Sequence, residues 1–264
     1  DADFDPGGLL GVLSSPPGAL VGTALVVAIA GGVGVTVGWR FRASVVACLV
    51  ATLFLTTLRS SWGQLLHFEN LMVLQLAVLA IAPAADAWSL DARAQRSTRT
   101  EERQSVAYGW PLALASLIVV VTYVLAGVAK LRYGGLAWLD GDTLRNHIAY
   151  SAARLDLIGG TEPPLAELVV RHAWALTGAA VVAVAIELSA PVVFLGPRWR
   201  TGWVIAAWLM HIGILLTMSV GFPSPLFGVA FASMFPLDHA VRRGDRWWRA
   251  RRLRSAGGPA PSAV

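Results

Sequence analysis

The chain has 264 residues, of which 56% are hydrophobic and only 14% charged, with 26 Gly and 11 Trp and a mean hydropathy of +0.61. Soluble domains carry about 25% charged residues, so this composition suits a bilayer and excludes a secreted disulfide scaffold, a disordered tail and a soluble dinucleotide-binding enzyme. The net charge of +5 does not point to nucleic acid, because the basic residues lie between apolar runs and in the tail, as membrane topology predicts.

The predicted fold is all-α, a polytopic membrane bundle of about seven helices. Three parts are expected: a short acidic segment over 1–16 without the basic region of a signal peptide, one transmembrane domain over 17–241, and a basic cytoplasmic tail over 242–264. The apolar runs fall near 17–38, 43–58, 68–85, 106–130, 165–196, 201–221 and 224–238, most of them long enough for a hydrocarbon core of about 30 Å. The first carries small residues at spacing four, Gly18 with Gly22 and Gly34 with Gly38, which predicts close packing on a neighbour. Cys48, the one cysteine, lies inside the second run and reads as packing. Trp39, Trp62, Trp88, Trp110, Trp138, Trp199 and Trp203 sit near run ends, where an indole is at home in the interface.

Between the fourth and fifth runs, Leu144, Ile148, Ala152 and Leu155 recur at helical spacing behind an expected N-cap at Asp142, and Gly159, Gly160, Pro163 and Pro164 end the pattern. An amphipathic helix lying on the membrane is predicted there, as a connector or as a lid over an outward-facing pocket. The last run is short enough to be re-entrant, although the Arg-rich tail argues that it crosses. With the first span entering from outside, fifteen basic residues fall on the cytoplasmic side and six on the other, which predicts N-out, C-in. The expected location is the plasma membrane.

Charge at membrane depth costs at least about 2.5 kcal/mol and marks a cavity, a partner or a proton path. His67 and Glu69 open the third run, Lys130 closes the fourth, and Glu187 and His211 lie in the middle of the fifth and sixth. The topology turns His67, Glu69 and Lys130 toward the outer leaflet, so one polar pocket could collect all five. Each also has a structural alternative: Lys130 snorkelling to the interface, His67 interfacial, Glu187 and His211 bonded to one another. Lys130 is the only lysine against twenty arginines. An amine among apolar helices loses solvation of its charged form and becomes usable as a base or nucleophile, which arginine does not. No Walker loop, dinucleotide fingerprint, paired-cysteine motif, zinc-protease motif or serine elbow occurs. No metal is expected, since His67 and Glu69 are two residues apart and do not share a helix face.

The segments LRSSWGQLLHFENL (58–71), WSLDAR (88–93), YVLAGVAKL (123–131) followed by Trp138 and the pair Asp140–Gly141, and IELSAP (186–191) with WLMHIGILLTMSVGFPSPLFGVAFASMFP (208–236) resemble the membrane part of the vitamin K-dependent gamma-carboxylase-like, or HTTM, family over about 55–238. The resemblance implies that Lys130 is the base that deprotonates a reduced isoprenoid quinone. His67 and His211 then orient substrate or relay protons, and Glu187 holds His211 or the ammonium of Lys130. Trp62, Glu69, Asn70 and Trp138 are expected beside them as supporting or substrate-binding residues. The given sequence ends at Val264, soon after the last run, so the expectation is the membrane half reaction of a carboxylase or epoxidase type, without the lumenal region that grips a protein substrate. The alternative is a non-catalytic membrane subunit that binds lipid or a partner protein, in the maturation of a secreted peptide. Transport is not favoured, for lack of an inverted repeat.

Overall fold

The computed structural model describes residues 4–6, 16–62, 69–94 and 106–237. The basic tail and His67 lie outside the described residues. Helices α1 (Gly18–Val37) and α2 (Phe41–Ser60) form an antiparallel pair, α3 (Asn70–Ile81) follows, and a short α4 (Leu90–Ala94) closes the first part. The second part holds α5 (Val106–Gly134), α6 (Asp142–Leu157), α7 (Ala166–Val170), α8 (Ala173–Leu188), α9 (Pro197–Met218) and α10 (Pro223–Leu226), with 3-10 turns over Gly135–Trp138, Ala190–Phe194 and Val229–Met234.

Among the described residues four helices, α1, α2, α5 and α9, are long and apolar enough to cross a membrane, and α3 and α8 are shorter apolar helices. At 1.5 Å per residue the 12 residues of α3 reach about 18 Å. The expected third run therefore yields a helix that ends before Pro83 instead of filling 68–85. The expected fifth run is broken in three: His172, with φ −119° and ψ 89°, separates α7 from α8, and Pro191, which lacks an N–H, opens the 3-10 turn after Leu188. The last run is a short helix and a 3-10 turn that return antiparallel to α9. Trp208 Nε1 donates to Leu226 O at 3.0 Å and Arg200 Nη1 to Met234 O at 2.7 Å, so Met234 comes back to the level of the first turns of α9.

Leu25, Val26, Ile29 and Val33 of α1 are each more than half exposed, a surface that suits lipid and not water. Apolar burial gives membrane helices little drive to associate in lipid, so close approach and hydrogen bonds carry the packing. On α1 the close approach is made by Gly31 and Gly34. A Cβ at Gly31 would lie 2.9 Å from Cys48 N and Ser44 O of α2, whereas nothing lies near Gly18 or Gly22. The close approach therefore takes in Gly34 of the expected Gly34–Gly38 pair together with Gly31, more than two turns beyond the pair expected at Gly18 and Gly22, and Cys48 is buried against it as packing. Gly38 leaves α1 in the left-handed region, φ 64°, packed on Ser89. Asp91 of α4 then caps α2 from afar: its carboxylate accepts from Arg40 N at 2.9 Å and Phe41 N at 2.8 Å, two of the donors a helix start leaves unmet.

The core runs through α5. Val119, Val120 and Tyr123 are buried with Leu71 of α3, Ala190 and Val193 after α8, Trp203 and Ala207 of α9, and Ala230, Phe231 and Met234 of the return segment. The predicted amphipathic helix is α6. Its Ile148 is buried with Ala166 and Leu176, and Leu144, Ala152 and Met218 pack against them, so this face is spent on α7, α8 and α9. Its cap differs by one residue from expectation. Gly141 is the cap, and Asp142 is already in the first turn, its N–H donating to Asp140 Oδ1 at 2.9 Å.

Candidate functional site

Tyr123, Gly127 and Lys130 stand at i, i+4 and i+7 of α5 and so share one face. Gly127 lets that face approach α8: a Cβ there would lie 2.9 Å from Leu188 Cδ2 and 3.0 Å from Glu187 Cβ. One turn further along, Lys130 Nζ donates to Glu187 Oε1 as an ion pair. The Glu187 side chain is 8% exposed and that of Lys130 23%. Glu187 Oε2 is buried with no hydrogen-bond partner among the described residues. A buried carboxylate with one oxygen spent and one unspent is costly unless it has work to do.

The wall over the amine is Trp138, whose ring centroid lies 5.2 Å from Lys130 Nζ, within cation–π range. The chain must turn sharply to place it. Gly141, with φ 92°, is pressed against α8, where a Cβ would meet Thr177 N at 2.6 Å, and Thr177 Oγ1 donates to Asp140 O at 2.6 Å. These contacts explain the Asp140–Gly141 pair seen in the sequence.

His211, on α9, is buried. Its Nε2 lies 2.7 Å from Tyr123 Oη, and its ring packs at a tilt against Phe222 with centroids 4.9 Å apart. Nδ1 is buried with no partner among the described residues. Trp203 steadies the group: its ring meets Tyr123 edge-on at 4.9 Å, and its Nε1 donates to Ile186 O at 2.8 Å, a carbonyl next to Glu187.

Of the residues expected at one pocket, Lys130, Glu187 and Trp138 are thus brought together, and Glu187 holds Lys130 and not His211. His211 is held by Tyr123. Glu69 is bonded to Arg59, with 2.5 Å between Oε1 and Nη1. Trp62 packs at a tilt against Phe4, with ring centroids 5.1 Å apart. Asn70 lines a largely apolar groove, with Leu53, Val73 and Leu74 beside Asp5, Thr56 and Thr57. Tyr108 Oη donates to Asp86 Oδ2 at 2.7 Å, which ties the start of α5 to the segment after α3. Glu69 and Lys130 therefore lie toward the same end of the bundle, as expected, but with different partners. Tyr123 was not among the expected residues, although a hydroxyl in an apolar run, seven residues before the lone lysine and on its face, was a readable signal.

The arrangement can move one proton. An ammonium beside a carboxylate that has a free oxygen can pass its proton across the pair and take another in its place. The sequence model of the HTTM domain family matches residues 8–237. Comparison with curated proteins and with solved structures finds no match.

Proposed function

The chain belongs to the HTTM domain family and is a membrane protein, and from its site we propose a membrane-embedded enzyme in which Lys130 takes a proton from the hydroxyl of a lipid-soluble substrate. The carrying observation is the part-buried Lys130–Glu187 pair with Glu187 Oε2 unspent. Lys130 hands its proton to Glu187 and, now neutral, accepts the proton of the substrate O–H. The O–H bond breaks, its electron pair stays on the substrate oxygen, and the site ends as ammonium and carboxylic acid. General base catalysis of this kind contributes about 10²–10⁴-fold.

The candidate substrate is a reduced isoprenoid quinone, reached from the outer leaflet of the plasma membrane. What supports it is the chemistry of the donor set: the rings of Trp138 and Phe222 suit a flat apolar head group, while Lys130, Glu187 and His211 offer polar atoms to its oxygens. Trp138 and Phe222 exclude water, Lys130 and Glu187 hold the proton, and His211 orients.

Mass spectrometry of lipids extracted from the purified full-length protein tests this reading. A stoichiometric isoprenoid quinone supports it. A stoichiometric partner protein with no quinone, together with wild-type behaviour of a Lys130→Ala/His211→Ala variant, overturns it in favour of a non-catalytic subunit.

A further inference from the structure

Tyr123 is the buried polar group next to the site that this mechanism leaves without a task. Its hydroxyl makes one hydrogen bond among the described residues, the 2.7 Å contact to His211 Nε2, and His211 Nδ1 has none. Two proton arrangements fit the contact. If Nε2–H donates, the tyrosine proton is buried without an acceptor and Nδ1 is an acceptor without a donor, leaving two groups unmet. If the tyrosine donates, Nε2 is satisfied, the hydroxyl proton is spent, and Nδ1–H alone is left unmet. Buried polar groups are paired with few exceptions, so the second arrangement is the better one.

We propose that Tyr123 is a positioning residue that holds His211 with its proton on Nδ1, so that the imidazole presents a buried donor to an acceptor oxygen of the ligand, a carbonyl or a hydroxyl that has given up its proton. The packing keeps the arrangement in place. Tyr123 is clamped by Trp203 at 4.9 Å and flanked by Phe231 at 6.3 Å, and Phe222 covers the other ring at 4.9 Å. A preorganised donor of this kind acts where negative charge develops, which is what Lys130 leaves behind on the substrate oxygen. The class of ligand rests on that reading of Lys130; the proton position on His211 does not.

The test is nitrogen NMR of the full-length protein in lipid nanodiscs, with ¹⁵N-labelled histidine. His211→Gln identifies the resonances among five histidines. The expected wild-type spectrum has Nδ1 in the protonated range and Nε2 in the unprotonated range, displaced by its hydrogen bond. In Tyr123→Phe, which keeps the ring packing, Nε2 loses that displacement and the proton redistributes between the two nitrogens. A wild-type proton on Nε2, or unchanged His211 signals in Tyr123→Phe, overturns the assignment, and the wild-type spectrum alone decides if the variant does not fold. Menadione, whose oxygens only accept, is expected to shift Nδ1 further. No shift on adding it overturns the ligand class while leaving the proton position established, so the two readings fail separately.

Discussion

Gly127 and Glu187 are in contact because one of them has no side chain: a Cβ at 127 would stand 3.0 Å from Glu187 Cβ. The distance between α5 and α8 at this point decides whether Lys130, one turn on, can reach the carboxylate. Gly127→Leu is expected to push the helices apart at a cost of about 1–3 kcal/mol and to break the ion pair. Gly127→Ala meets Leu188 Cδ2 at 2.9 Å and Glu187 Cβ at 3.0 Å, so it is expected to move the helices less than leucine does and to keep the pair. Thermal unfolding in nanodiscs, with crosslinking between cysteines placed on α5 and α8, checks the difference.

Removing one member of the pair should cost more than removing both. Lys130→Met leaves a buried carboxylate without its counter-ion, an error worth about 3 kcal/mol. Lys130→Met with Glu187→Leu is expected to recover most of that stability while staying inactive. Equal loss in the single and double variants, measured by thermal unfolding, would remove the electrostatic argument.

Gly141 holds Trp138 in place from a distance. Its φ of 92° and the 2.6 Å approach of a Cβ to Thr177 N leave no room for alanine, because the atom in the way is backbone. Gly141→Ala is expected to cost about 1–3 kcal/mol and to free the Trp138 indole. Trp138 fluorescence, isolated by a difference against Trp138→Phe, should move to a wetter environment.

The cap on α2 is supplied 50 residues away. Asp91→Ala removes acceptors from Arg40 N and Phe41 N and is expected to cost about 1 kcal/mol. Asp91→Asn keeps one acceptor and should fall between. Unfolding midpoints of the two variants order them, and an alanine variant as stable as wild type would deny the clasp.

The membrane character, the α6 helix and the chemical residues Lys130, Glu187 and His211 were legible because each is an exception against an apolar background, or an apolar stripe in a polar stretch. Pairing was not legible. Whether Glu187 met Lys130 or His211 depended on the offset between α5 and α8, which Gly127 sets and no periodicity encodes. Helix continuity failed for a related reason: 165–196 is mostly apolar and reads as one run, yet the non-helical backbone at His172 and the ring of Pro191 divide it. The glycine stripe of α1 appears at Gly31 and Gly34 because only that part of the helix crosses α2 closely enough to need it. For Tyr123 the place on the Lys130 face is readable in the sequence, but the partner of its hydroxyl, His211 on α9, is not.

The central claim is that Lys130, relieved by Glu187, takes the proton of a bound hydroxyl. The most direct measurement is the anaerobic ultraviolet difference spectrum of reduced menadione bound to the full-length protein at neutral pH, for wild type and for Lys130→Arg. Arginine keeps the charge but does not give up its proton. The account predicts the absorption of the deprotonated hydroxyl in wild type and that of the neutral form in Lys130→Arg. The same deprotonated spectrum in both proteins, or the neutral form bound in both, would contradict it.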